Sequence, residues 1–472
     1  MNSLFVKAVG VLVGGTGVAQ LIILLSSPFL ARLYAPEHFG LLAIYTSLLA
    51  IVSIVANLRY EIAIPLPQSK RVASNLAAVS ILIAIAISLC SLLMVYLSEG
   101  WLSSLLGTPD IRFFLWVLPF SIFLTGFQQV LAGYSIREKQ FKVLSGSRLC
   151  LGLVTVSIQL IAFKLEAFGL LIGHVTGLLI STLFLAMVLV RPEMIKLISL
   201  ARMQVVLRRF ARFPKFSIWD GLSNTAGTQL PTVLIVSSFG ASAGGLYSMT
   251  LRVLVFPVTL IGAAVGQVFL SDAPEAHRKN RLDKMVLRLT EIMLGISLPF
   301  LFITFLFGPD VFALVFGDAW RQSGDFARWL SPWIILTFVY SPLSSVFSIL
   351  KLEKTIMQLQ VVLLVLRLCV VGVGMYLGDL LLTIILFGSL NFFYYLFLIC
   401  RVLGLFKISL SRFLTGKAIQ LFTLLMMTIS IWASTNKFVG NYYLQIFFFV
   451  ASILLVLFYV KKTNSMVKLA NG

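Results

Sequence analysis

GVAQLIILLSSPFLARLYAPEHFGLLAIYTSLL, residues 17–49, holds two apolar runs separated by one short polar turn. No charge appears from Gly17 to Ala31; Arg32, Glu37 and His38 then gather around Pro36, and apolar sequence resumes at Phe39. A helix needs about 20 mostly apolar residues to cross a bilayer. The stretch therefore reads as two spanning helices joined outside the hydrocarbon.

The pattern continues along the chain. Of 472 residues, 59% are hydrophobic and 11% charged, with a mean hydropathy of +1.02. A soluble domain carries about 25% charged residues. The polar residues are too few to cover a water-facing surface, so lipid is the solvent for most of the protein. Fourteen runs meet the length criterion, near 8–30, 40–63, 73–97, 111–134, 147–165, 168–190, 216–238, 246–270, 287–308, 329–350, 356–378, 380–400, 417–434 and 442–460. The expected fold is an all-α polytopic integral membrane protein with about 14 transmembrane helices. The first run is too long for the apolar region of a signal peptide and lacks a convincing cleavage site.

The net charge of +20 comes from short basic clusters between the runs, not from one patch, which argues against a nucleic-acid partner. Of the 37 Lys and Arg residues, 28 fall in loops on the side of the N-terminus; six (Arg32, Arg112, Lys164, Arg321, Arg328 and Lys437) fall opposite. The positive-inside rule then places both termini in the cytoplasm. Three remain in or at the edge of spans: Arg59, Arg252 and Arg367. No outside loop is long; the largest, Gly308–Arg328, has about 21 residues, so no soluble catalytic domain is expected. The chain lacks GxxxxGK[ST], and GVGMYLG at Gly372–Gly378 has the wrong spacing. Cys90, Cys150, Cys369 and Cys400 lie in apolar runs and read as core residues; His38, His174 and His277 are far apart, so no metal site is visible.

The opening stretch has an echo, GTQLPTVLIVSSFGASAGGLYSMTLRVL, residues 227–254. Ala19-Gln20-Leu21 corresponds to Thr228-Gln229-Leu230, and Gly40 and Gly245 each open the following helix, with Tyr45 and Tyr247 shortly after. The longest basic inside loop lies between spans 6 and 7, where a linker between halves belongs, and its MQVVLRRFARF stretch fits a basic amphipathic helix on the anionic inner leaflet. The domain reading follows: an N-terminal lobe of six helices at 1–190, a cytoplasmic linker at 191–215 and a second six-helix lobe at 216–400. Two extra helices at 417–460 and a cytoplasmic tail at 461–472 complete it. The repeat is a parallel one.

PFLARLYAPEHFG, RYEIAIPLP and QLPTVLIVSSFGASAGGLYSMTLRVLVFPVTLIGAAVGQVF resemble the polysaccharide-transporter branch of the multidrug/oligosaccharidyl-lipid/polysaccharide (MOP) exporter superfamily, and within it O-antigen flippases (Wzx-type). The resemblance implies a MATE-like pair of lobes around a central cavity, alternating access, and no enzymatic activity. It also implies export of undecaprenyl-pyrophosphate-linked oligosaccharide to the periplasmic leaflet of a bacterial inner membrane. Implied partners are that lipid, the surrounding membrane lipids and other polysaccharide assembly proteins.

Intramembrane polar groups are the candidate site. An arginine at a helix centre costs about 2.5–3.5 kcal/mol on the insertion scale, so it usually faces a cavity or a partner. Arg59, Arg252 and Arg367 are the candidates for binding the headgroup pyrophosphate, because a guanidinium stays charged and offers paired donors to phosphate oxygens. Snorkelling is the alternative for Arg59 and Arg252, and a structural pairing for Arg367. Residues two apart in a helix are about 200° apart, so Arg59 and Glu61 point apart, while Ser53, Asn57 and Glu61 share a face. Glu61, Asp220, Asn224 and Glu291 are candidates for a polar cavity or for coupling to H+ or Na+, with Asp220, Asn224 and Thr228 stacked on one face of span 7. No cofactor is expected otherwise. His174, between Gly173 and Gly177, reads as a hydrogen-bonding residue in a small-residue helix contact. Other readings are a cation-coupled multidrug exporter or lipid-II flippase of the same fold, a membrane-embedded glycan polymerase or ligase, and a scaffold without transport.

Overall fold

A computed structural model describes residues 3–107, 110–190, 192–262, 281–350 and 352–406, with scattered positions between 263 and 280. Helices account for nearly all of it, and no strand occurs among the described residues. In order they are α1 (Ser3–Leu33), α2 (Pro36–Ser53), α3 (Lys70–Leu105), α4 (Ile111–Arg137), α5 (Phe141–Ile161), α6 (Ala167–Leu189), α7 (Pro192–Lys196) and α8 (Leu200–Arg209). Then follow α9 (Ile218–Pro257), α10 (Leu282–Phe316), α11 (Arg321–Leu343), α12 (Ser345–Ile349), α13 (Glu353–Leu377) and α14 (Leu380–Leu405).

Among the described residues, eleven helical stretches are long and apolar enough to span a membrane. They take in the twelve apolar runs up to residue 400, because the single stretch Phe213–Gly262 carries two of them, broken at Gly240 (φ 87°). The expected spans at 417–434 and 442–460, and His277, lie outside the described residues. Two differences from expectation stand out. Span 2 stops being helical at Ser53, ten residues short of Ala63. The expected outer loop Gly308–Arg328 is mostly helix: α10 runs on to Phe316, Asp318–Trp320 form one tight turn, and α11 begins at Arg321. Its apolar residues alternate with charges at helical spacing, so the segment folds where a polar loop would not.

The described chain forms two compact units. One comprises residues up to Arg252 with Val315–Trp320 and Met357–Thr383; the other comprises Val253–Leu314, Arg321–Ile356 and the described residues from Ile384 on. In the second, Arg328 donates to the Leu306 carbonyl (3.1 Å), and Arg321 pairs with Asp310 (2.7 Å), binding the ends of α10 and α11 together.

In the first unit, helices approach closely through small residues, since lipid supplies no hydrophobic drive between them. A Cβ on Gly177 would stand 2.1 Å from Thr155 Oγ1, and one on Gly173 would stand 2.4 Å from Gln159 Cγ, so α6 lies directly on α5. Gln159 Nε2 also donates to the Leu170 carbonyl (3.0 Å). Some buried hydroxyls are satisfied within their own helices, as Ser80 on Leu76 and Thr182 on Leu178.

Gly40 and Gly245, which the sequence echo pairs, also meet in space. A Cβ on Gly40 would fall 1.7 Å from the Ala241 carbonyl oxygen, and one on Gly245 would fall 1.7 Å from that of Pro36. Each glycine faces the residue four before the other, a reciprocal contact with the character of a local two-fold. Gly295 on α10 has open space around its Cβ direction. Gly245→Ala should therefore lower the unfolding temperature of the detergent-solubilised protein, overpacking costing about 1–3 kcal/mol. Gly295→Ala should leave it unchanged or raise it, because alanine is the better helix former. A thermal melt of the two variants checks the opposite signs.

Candidate anion-binding site

The end of α2 is the least regular backbone in the first unit. No glycine or proline occurs between Ile54 and Ile64, yet the helical ladder gives way to shorter bonds, such as Leu58 N–H to Val55 O and Tyr60 N–H to Asn57 O. Leu58 (φ 47°) and Arg59 (φ 64°) are left-handed, a conformation that costs L-residues roughly 1–2 kcal/mol each. A turn of 3₁₀ helix, Tyr60–Ala63, follows. Asn57 holds the break by donating Nδ2 to the Gly126 carbonyl (2.9 Å) and Gln129 Oε1 (3.1 Å) on α4.

This break overturns the expected helical faces. Arg59 and Glu61 do not point apart: Arg59 Nη1 lies 3.7 Å from Glu61 Oε1. Arg59 Nε also donates to the Ser217 carbonyl (3.4 Å), and its guanidinium covers Gly221, where a Cβ would fall 2.6 Å from Nη2. Glu61 is 8% exposed. Its Oε2, Asn57 Oδ1 and Ser53 Oγ are buried without a hydrogen-bond partner among the described residues.

The other two arginines lie in or against the same α9. Arg367, 6% exposed on α13, donates Nη1 to the Gly227 carbonyl (2.8 Å) and lies within electrostatic range of Tyr247. Its guanidinium is a tie between α13 and α9. Arg252, on the second half of α9, stacks over the Phe39 ring at 5.4 Å and has no carboxylate partner among the described residues. Phe39 packs edge-on against Trp320 (5.2 Å), whose Nε1 donates to the Ala31 carbonyl (2.8 Å). His174 lies within electrostatic range of Arg252 and edge-on to Tyr45 at 6.0 Å. The Tyr45 hydroxyl donates to Ser121 Oγ (2.5 Å).

Asp220, Asn224 and Thr228 are exposed along the first half of α9, Asp220 immediately preceding the glycine that Arg59 covers. Glu291 lies on α10, in the other unit. The structure thus gathers Arg59, Glu61 and Asp220 near the start of α9. Gly227, which Arg367 bonds, is six residues beyond Gly221, about 9 Å along the helix.

The model of the family described as "Polysaccharide biosynthesis protein" matches residues 29–325, more than half of the chain and including Arg59, Glu61 and Arg252. The chain belongs to that family. A curated relative of this polysaccharide biosynthesis protein is the succinoglycan biosynthesis transport protein ExoT of Rhizobium meliloti (strain 1021), 22% identical over 302 residues. That match covers 63% of this chain and 59% of the relative's length. Two solved structures share the fold. The lipid II flippase MurJ in an inward closed conformation has a TM-score of 0.69 at 13% identity, covering 96% of this chain and 98% of that one. An inward-facing MATE family multidrug resistance transporter of the MOP superfamily has a TM-score of 0.66 at 15% identity, covering 83% and 96%. The likeness to these two structures is one of fold.

Two further arginines of the family member were hidden in the loop count. Arg148 sits in the third turn of α5 and donates to Thr16 Oγ1 on α1. Arg137, at the end of α4, donates to the Pro67 and Gln68 carbonyls and pins the chain that leaves the α2 break. The apolar flanks of Arg148 were its one signal.

Arg367→Met should destabilise the protein more than Arg252→Met. The first removes a charged hydrogen bond to a buried carbonyl, worth about 1.5–3 kcal/mol. The second removes a stacking contact worth about 0.5–2 kcal/mol. Thermal unfolding of both variants in one detergent tests the order.

Proposed function

We propose that this protein flips undecaprenyl-pyrophosphate-linked oligosaccharide, an O-antigen or related surface-polysaccharide repeat unit, from the cytoplasmic to the periplasmic leaflet of a bacterial inner membrane. Arg252 carries the reading: a guanidinium in a spanning helix, held by an aromatic face and not by a carboxylate, keeps its charge for an anionic ligand. A pyrophosphate supplies several oxygens that such a fork can bind. Arg59, whose one carboxylate partner among the described residues stands 3.7 Å away, is the second headgroup contact, and Arg367 positions α9 between them.

Transport proceeds by alternating access between two six-helix lobes, residues 1–190 and 216–400, with the 191–215 linker, both termini and the bulk of the basic residues in the cytoplasm. An anionic headgroup leaving an inside-negative cell gains about 2.3 kcal/mol per charge per 100 mV. Inward movement of H+ or Na+ at Glu61, Asp220, Asn224 or Glu291 adds to that drive. The family membership and the transport function in the relative's name support this reading.

Reconstituted protein should move the host's undecaprenyl-pyrophosphate oligosaccharide across liposomes. Arg252→Ala and Arg59→Ala should each slow movement at least tenfold while retaining a folded elution profile. Wild-type rates should fall when both the pH and sodium gradients are collapsed. A folded wild-type protein that moves no glycan lipid would sink the proposal.

A further inference from the structure

The linker between α6 and α9 grips the protein at a few points and leaves the rest of its surface bare. Of the α8 residues Leu200–Arg209, Val206 alone is buried (3% exposed), within a cluster that includes Tyr60, Ala63, Ile64, Ala73 and Leu76. The Tyr60 hydroxyl donates to the Leu207 carbonyl (3.2 Å). Asn75 on α3 clasps the start of the helix, donating to the Leu197 carbonyl and accepting from the Ser199 N–H, both at 2.9 Å.

The bare surface is sharply divided. At about 100° per residue, Met203, Leu207 and Leu200 project to one side of Val206, roughly 60–120° away, while Arg202, Arg209 and Arg208 project to the other. On the apolar side Leu200 is 78% exposed; Val205, 63% exposed, lies among the arginines. Between Met194 and Trp219 there are six basic residues, Lys196, Arg202, Arg208, Arg209, Arg212 and Lys215, and no acidic one. The apolar surface runs on through Phe216 and Trp219, each 69% exposed, into the spanning part of α9. A soluble acidic protein would match the charge but not an apolar surface that continues into the bilayer. An interfacial helix matches both, with its apolar ridge at the acyl boundary and its arginines at the phosphates.

We propose that the Leu200–Lys215 segment docks onto anionic phospholipid headgroups, and that this contact steadies the broken end of α2 that carries Arg59. The link is direct: Val206 and the Leu207 carbonyl touch Tyr60, next to Arg59, and the Arg59 side chain bonds Ser217, just beyond the segment. The docking half is independent of what the protein transports; the coupling half rests on the flippase reading above.

The test uses the full chain with its four free cysteines replaced and Leu200→Cys carrying an NBD fluorophore. Dithionite bleaching is followed in vesicles of phosphatidylcholine alone and with about 30% phosphatidylglycerol, a surface charge that attracts basic segments. Bleaching should be severalfold slower in the anionic vesicles, and Arg202→Gln, Arg208→Gln and Arg209→Gln together should abolish the difference. Equal bleaching in both vesicles, or shielding that survives the triple substitution, overturns the docking site. Glycan-lipid transport by the unlabelled protein should rise with phosphatidylglycerol, and Tyr60→Phe should flatten that rise while keeping the shielding. An undiminished rise in Tyr60→Phe overturns the coupling. Shielding that responds to phosphatidylglycerol in a protein that transports no glycan lipid supports the docking site and defeats the flippase reading instead.

Discussion

A backbone group left open in hydrocarbon finds no water to bond, and each such group costs several kcal/mol. The end of α2 breaks the helical ladder, and side-chain bonds tie the irregular stretch to its neighbours. Asn57 reaches α4, Arg137 returns from α4 to the Pro67 and Gln68 carbonyls, and Tyr60 reaches the linker at Leu207. Irregular backbone at membrane depth persists where it is buried in protein or lines a cavity. Two consecutive left-handed residues without glycine are strain that the surroundings must over-determine, and such strain gathers at functional positions.

The same scarcity of partners explains how the arginines are divided. Arg367 is nearly sealed from outside and donates a hydrogen bond to a helix carbonyl, so its charge is committed to the architecture of α9. Arg59 shares a long ion pair with a glutamate whose second oxygen has no hydrogen-bond partner among the described residues, an arrangement the proposed anionic headgroup would displace. Arg252 leans on an aromatic face, a partner that satisfies charge weakly, and has no carboxylate partner among the described residues. Three residues of one type therefore range from structural tie to open host.

Sequence made the spans legible because a 20-residue apolar run is a one-dimensional signal. It also picked out Gly173 and Gly177, since close helix contact demands small residues at that spacing. The break after Ser53 was not legible. The residues from Ile54 to Ile64 lack glycine and proline, so helical periodicity ran straight through them and set Arg59 against Glu61 on opposite faces. Only the tertiary bonds from α4 and the linker supply the reason for the turn. The Gly308–Arg328 segment misled in the opposite sense: its charges suggested a loop, and its apolar residues at helical spacing extended two helices instead.

The internal echo shows which part of a repeat physics preserves. Gly40 meets Ala241 and Gly245 meets Pro36 because two backbones must come within touching distance at both places, and any side chain at either glycine would strike a carbonyl. Seven residues beyond each glycine stand Ser47 and Arg252, matched in position and unlike in chemistry. Ser47 donates to Gln229 Oε1 (2.9 Å), fastening α2 to α9, whereas Arg252 stacks on Phe39. Packing constrains both copies alike, since a close contact between symmetric surfaces tolerates no difference. Binding a single asymmetric headgroup requires the copies to differ. The guanidinium stands where the two-fold relation is broken, which is where the proposed headgroup, lacking that symmetry, would be read.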